Sequence, residues 1–485
     1  MTDDSSPHTV LEPTNPAYSE QALDSGAWAR PTPPERRTDV RELAVALLLL
    51  VTVGLLYLAN AATPPVDSEA GDLPGERLEL RLQAQFELGV RSLLAPAVGE
   101  EDSDLLPGET SARRLEALAE TTRDRIALVP VYMHLNPTEE AQDSALRDLT
   151  ALAADDSLDS EIRSEAAVFA GLYRRPAVQP TAAQREQLVA VYGWFALLAF
   201  DDPQASEEAR RITLALYGVA LVLVLALLLG TGTCLVLLRR LARGQLRSAY
   251  RRRRVDAAGH GWPKTRLPFL ETALLFLVAM TVIGGLIGLA MTSSGSHWLL
   301  LLNWTIVAVL FWPLARGRSW PELRSALGWH RGRGLVTEIG CGLVAYLAAM
   351  PLLAVGLVLT LILTRFTEKA PHHPIVDWLQ EAGAGGIAVV VILAVVWAPL
   401  VEESLFRGSF YHYLRGRFGI AGSVLLVSLV FAAIHPQGLA GIPFLATLAA
   451  VLGLTREWRD SLVASVTLHM VHNALATLLL LVLTT

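Results

Sequence analysis

The chain has 485 residues, 52% of them hydrophobic, and its mean hydropathy is positive at +0.40. It is too long and too apolar for a single ordinary soluble domain, and its net charge of −7 hides a segregation of acidic and basic stretches. Two cysteines, Cys234 and Cys341, both inside apolar runs, exclude a disulfide framework, and neither CxxC nor a Cys/His zinc pattern is present.

Apolar runs of roughly 16–25 residues recur, the length needed to cross a hydrocarbon core. The expected fold is therefore all-α, a polytopic membrane bundle of about eight spans. Residues 1–40 are rich in Pro, Ser, Thr and charge and read as a disordered cytoplasmic tail. The first transmembrane anchor is 41–61, with its apolar run from Leu43 to Leu58. Arg30, Arg36, Arg37 and Arg41 precede it and favour a cytoplasmic N-terminus. Ala59-Asn60-Ala61 resembles a signal-peptidase site, but a basic tail this long fits an uncleaved anchor better.

Residues 62–210 form the one large hydrophilic block. Across 63–209 there are 28 Asp and Glu against 12 Arg, so an acidic domain outside the cytoplasm is expected. Ser111–Ala127, Thr138–Ala154, Glu161–Tyr173 and Ala182–Phe200 carry helical periodicity, punctuated by Pro107, Pro130, Pro137, Pro176 and Pro180. No catalytic motif occurs there, and the block reads as a docking or spacer module for a protein partner. The second span is 211–238, with its apolar run from Ile212. The loop 239–266 follows, with Arg239, Arg240, Arg243, Arg247 and Arg251–Arg254. Without aromatic interleaving or a recognition fold it marks the cytoplasmic side rather than a nucleic-acid site.

Leu267–Met291, Trp298–Leu314 and Leu335–Leu363 are the next spans, the last carrying Glu338 and Pro351. Arg316, Arg318, Arg324, Arg331 and Arg333 mark a second cytoplasmic segment, with Trp320 and Trp329 suited to the interface. The loop Arg365–Gly383 should face outside. A span from Ile387 then runs inward, and Ile420–Ile434, Ile442–Leu454 and Leu462–Leu483 are short enough for some to be broken or buried.

Val401-Glu402-Glu403-Ser404-Leu405-Phe406-Arg407 follows the run Ile387–Leu400 with no polar spacer. A charge at a bilayer centre costs roughly 2.5–3.5 kcal/mol on insertion scales, and such groups are functional candidates by default. On a helix Glu403 and Arg407 share a face and can pair, while Glu402 points about 100° away. Three further polar groups interrupt the C-terminal apolar region: His435, His469 and Asn473, with His472 beside the last two. Convergence on one cavity satisfies Glu402, His435, His469 and Asn473 together. The chemistry such a cluster performs is water activation, with Glu402 as general base and donors for the oxyanion of an attacked peptide carbonyl. Two His and a Glu can also hold Zn²⁺, here Glu402, His435 and His469. HExxH and GxSxG are absent. The rival is a scaffold, immunity or assembly factor that keeps the charges for structure. A proton-relaying transporter is disfavoured by the lack of an inverted repeat.

Glu402-Glu403-x-x-x-Arg407, Phe431-x-x-x-His435 and His469-x-x-x-Asn473, in that order, resemble the three motifs of the CPBP family, the CAAX-protease and bacteriocin-processing group formerly called Abi. The resemblance covers about 267–485. It implies an intramembrane endopeptidase with Glu402 and His435 activating water, His469 and Asn473 completing the site, and Glu403 and Arg407 as a supporting pair. It implies a glutamate-based reaction with no required cofactor, zinc remaining open, and a membrane protein or peptide substrate. Prenylated CAAX substrates belong to eukaryotic members, whereas the long acidic ectodomain looks bacterial in style, so another substrate and a bacterial-type inner membrane are expected. The linear order sets one condition. Glu402 lies near the inner end of its span and His435 late in a span that starts inside, so they meet only if the His435 helix is short, re-entrant or displaced.

Overall fold

A computed structural model describes residues 40–62, 78–98, 106–119, 121–250, 266–294, 297–367 and 384–484. The tail, much of the 239–266 loop and most of the 365–383 loop lie outside the described residues. The chain divides into two units, Met1–Ala44 and Val45–Thr485. Of the first, only the opening turn of helix α1 (Val40–Ala62) is described. Among the described residues all regular structure is helical, and eight helices are long and apolar enough to span a membrane. The chain is a multi-pass membrane protein with a helical-bundle fold.

Helices α2 (Leu78–Leu94), α3 (Glu109–Glu116), α4 (Thr122–Leu135), α5 (Glu139–Ala153), α6 (Ser160–Leu172), α7 (Ala182–Tyr192) and α8 (Trp194–Ala199) precede the second span. They enclose one core built on Leu115, Ile126, Leu149, Phe169 and Trp194. The sequence reading is corrected at four points here. Ser111–Ala127 is two helices, because Thr121 and Asp124 close a reciprocal capping box that starts α4 anew. Pro130 lies inside α4 rather than ending it. Ala182–Phe200 breaks at Gly193, whose φ of +50° suits glycine. Helix α2 is additional.

Helix α9 (Pro203–Ala242) is 40 residues long, about 60 Å at 1.5 Å per residue. Asp202 caps it and Pro203 fills its first turn, where no amide is needed. Ala205 and Ala209 belong to the core of helices α2–α8. The same helix then presents exposed Leu221–Leu225 and Leu228–Leu229, a face made for lipid. No break separates residues 210 and 211.

The remaining elements are α10 (Leu267–Ser294), α11 (a 3₁₀ stretch His297–Phe311 continuing as Trp312–Ala315), α12 (Trp320–Leu327) and α13 (Leu335–Thr367). Next comes the composite helix α14, made of Ala384–Ile392, a π segment Leu393–Trp397, Ala398–Glu402, a π segment Glu403–Phe410 and Tyr411–Leu414. Helices α15 (Ile420–Ala433), α16 (Gly438–Arg459) and α17 (Leu462–Thr484) complete the bundle. The expected Ile442–Leu454 segment extends to Arg459 because its terminal charges all have partners. Arg459 is bidentate to Glu338 at 2.9 and 2.7 Å. Glu457 accepts from Arg415, Tyr411 and Ser248. Tyr250, read as part of a solvated loop, is 2% exposed and packs edge-on to Tyr411. Trp329, assigned to the interface, donates Nε1 to Ser404 Oγ at 2.9 Å.

Candidate active site

Two irregular turns set the site. The first π segment of α14 shifts its ladder to i→i−5, so that the Ala398 amide bonds the Leu393 carbonyl. The next donor in that register would be residue 399, which is proline and has no N–H. The Ala394 carbonyl is met instead by Asn473, whose Nδ2 donates to it at 2.8 Å. Asn473 thus replaces a missing backbone donor and ties α17 to α14. The second π segment holds Glu403 and Arg407, both fully buried.

Arg407 Nη1 donates to Glu403 Oε1 at 2.8 Å, and its Nη2 donates to the Ala449 carbonyl at 3.2 Å. The guanidinium lies over Phe431, 4.7 Å from the ring centre, adding a desolvated cation–π contact. His469 meets the same carboxylate from α17, with Nδ1 to Glu403 Oε1 at 3.0 Å. A carboxylate only accepts, so Nδ1 carries the proton and Nε2 is the basic nitrogen of the neutral ring. That Nε2 stands 3.9 Å from Glu402 Oε2. The separation exceeds a hydrogen bond but matches two groups sharing a small molecule between them. Glu402 keeps 16% of its side chain accessible, whereas Glu403 keeps none.

His435 follows the last turn of α15. That helix has 14 residues, about 21 Å, well short of a hydrocarbon core of about 30 Å. A short helix therefore meets the condition set by the linear order: it ends within the bundle. His435 Nδ1 bonds the Phe431 carbonyl at 2.5 Å, and its ring lies 4.3 Å from that of Phe431. The His469 ring centre lies 6.2 Å from that of the same Phe431. Glu402, Glu403, Arg407 and His469 thus form one contact network, His435 joins it around Phe431, and Asn473 is engaged at Ala394. His472 turns away, toward Tyr346 and Phe444.

The zinc alternative finds no matching donor set. Among the described residues no three His, Cys, Asp or Glu side chains converge to hold a metal ion.

Sequence reasoning missed Arg456, which is fully buried. It donates Nε to the Arg407 carbonyl at 3.1 Å and Nη2 to the Ala326 carbonyl at 3.3 Å, and it pairs with Asp460 at 2.9 Å. Gly328, with φ of +80°, sits where a Cβ would lie 2.7 Å from its guanidinium carbon. The signal was available, since charges at the end of an apolar run call for partners as much at Arg456 as at Arg407. Phe431 was visible only as a motif residue, and its place between two imidazoles was not.

Residues 384–475 match the family model described as type II CAAX prenyl endopeptidase Rce1-like. The segment contains all seven residues of the motifs, and the match agrees with the CPBP resemblance. No curated protein and no solved structure matches the chain.

Proposed function

We propose that this chain, whose Rce1-like segment marks it as similar to CAAX-protease-type endopeptidases, hydrolyses a peptide bond of a membrane protein or peptide inside the bilayer. Glu402 is the general base. It takes a proton from a water held between its carboxylate and His469 Nε2, and the resulting hydroxide attacks the scissile carbonyl. The 3.9 Å gap between Glu402 and His469 is the observation that carries this reading. Glu403 and Arg407 hold the His469 tautomer, so that its lone pair faces the water rather than the core. His435, with Nδ1 on the Phe431 carbonyl, offers its Nε2 as second acceptor or, once protonated, as donor to the leaving amine. Asn473 has a second amide N–H beyond the one on Ala394, which serves the developing oxyanion, and the proton taken by Glu402 passes to the leaving amine, directly or through His435. No metal is needed in this scheme.

In this reading the basic loops mark the cytoplasmic end of the bundle, from which the substrate enters, with a cytoplasmic N-terminus in a bacterial-type inner membrane. The acidic helices then lie outside and present a surface for a protein partner. The test is cleavage of candidate membrane peptides by purified full-length protein in proteoliposomes. Wild type should cleave, and Glu402→Ala should fold normally without cleaving. Full cleavage by Glu402→Ala would end the assignment and leave the scaffold reading.

A further inference from the structure

Away from this site, α9 and α13 touch at Gly230, where a Cβ would lie 2.4 Å from the Leu347 carbonyl oxygen. Past that close approach a groove of about 390 Å³ opens between the end of α9, α13 and α16. Its floor is small, at Ala345, Ala348 and Ala349, and its walls include Leu237, Leu241 and Leu454. Arg247 lines the groove, while Arg239 and Arg240 in the last turn of α9 and Arg243 at its C-cap are near it in the chain but outside the lining. All four arginines are exposed, and none takes part in an ion pair among the described residues. Glu457, the carboxylate on the groove wall, is already held by Arg415, Tyr411 and Ser248.

We propose that the groove binds an anionic phospholipid, with an acyl chain along α9 and its phosphate at Arg243 and Arg247. The volume suits a chain of methylenes and not a second helix, which is about 10–12 Å across. Basic pockets between spans at the cytoplasmic side are suited to acidic headgroups, each arginine adding about 1 kcal/mol, or about fivefold in affinity.

The test titrates full-length protein in neutral detergent with phosphatidylglycerol or phosphatidylcholine of identical chains and counts retained lipid by native mass spectrometry. Phosphatidylglycerol should bind more tightly. The Arg243→Gln/Arg247→Gln pair should weaken it by about fivefold per arginine and leave phosphatidylcholine unchanged, whereas Arg331→Gln should change neither. Ala348→Leu should expel both lipids, and Leu241→Trp on the exposed lip should do the same if Ala348→Leu does not fold. Equal retention of the two lipids would overturn the proposal. So would lipid binding indifferent to groove filling, glycerophosphate binding as tightly as the whole lipid, or a protein dimer in place of the lipid adduct.

Discussion

Helices α2–α8 and the candidate site bury carboxylates in different ways. In the former, Glu165 is 2% exposed and accepts from Arg123 Nε at 3.1 Å, Arg123 Nη2 at 3.2 Å and Tyr192 OH at 2.8 Å. Burial and the neighbouring Glu165 charge keep the Tyr192 phenol well above the ordinary tyrosine range, so it remains a donor. Both carboxylate oxygens are occupied. In the bundle, Glu403 Oε2 and Arg407 Nε have no hydrogen-bond partner among the described residues, and Glu402 has only His469 at 3.9 Å. Glu165 has its hydrogen bonds completed, as have Glu338 and Glu457 in the bundle. At the candidate site Glu403 gives one oxygen to both Arg407 and His469 and leaves the other unpaired, and Glu402 leaves room for a reacting molecule, a cost that the fold tolerates there.

The comparison is broken most forcefully at Glu402. Its replacement by alanine should lower the cleavage rate by about 10²–10⁴-fold, the usual contribution of a general base, with the thermal unfolding midpoint unchanged. Glu403→Ala should do something different. It strands a fully buried Arg407 and should cost about 3–5 kcal/mol of stability, read as a lowered midpoint in detergent. If Glu403→Ala kept its midpoint and Glu402→Ala lost its own, the two roles would be exchanged. Asn473→Ala removes both a proposed oxyanion donor and the partner of the Ala394 carbonyl, and kcat should fall about 10²-fold. Pairing it with Pro399→Ala, which returns a backbone N–H to that carbonyl, should recover stability but not rate. A chelator should leave cleavage intact, and loss of activity restored by zinc would refute the glutamate-based scheme. The smallest effect is expected on the other side of the comparison. Tyr192→Phe should cost about 1 kcal/mol in helices α2–α8 without altering cleavage.

The apolar spans, the basic and acidic segments and the polar groups at Glu402, Glu403, Arg407, His435, His469 and Asn473 were legible because lipid imposes strong rules on composition. Length and hydropathy alone locate a span, and an ionisable group inside one demands an explanation. Helix breaks at Thr121 and Gly193 were less legible, since capping and positive φ compete locally with an unbroken helical period. The role of Asn473 was not legible at all. It depends on a π register in α14 and on a missing amide at Pro399, two features 74 or more residues away that only the packed helices bring to it.

By itself, then, the sequence determined that this chain crosses a membrane, which segments carry its charge, and which side chains are too polar to be left in lipid. Tertiary structure decided how those side chains divide their work. It set His469 between two adjacent carboxylates, brought the His469 ring to Phe431 of α15, and engaged Arg456 with the Arg407 carbonyl. Hydrophobicity is a property of each segment and can be read one residue at a time. Hydrogen bonds between distant segments are properties of pairs, fixed only when the helices have packed.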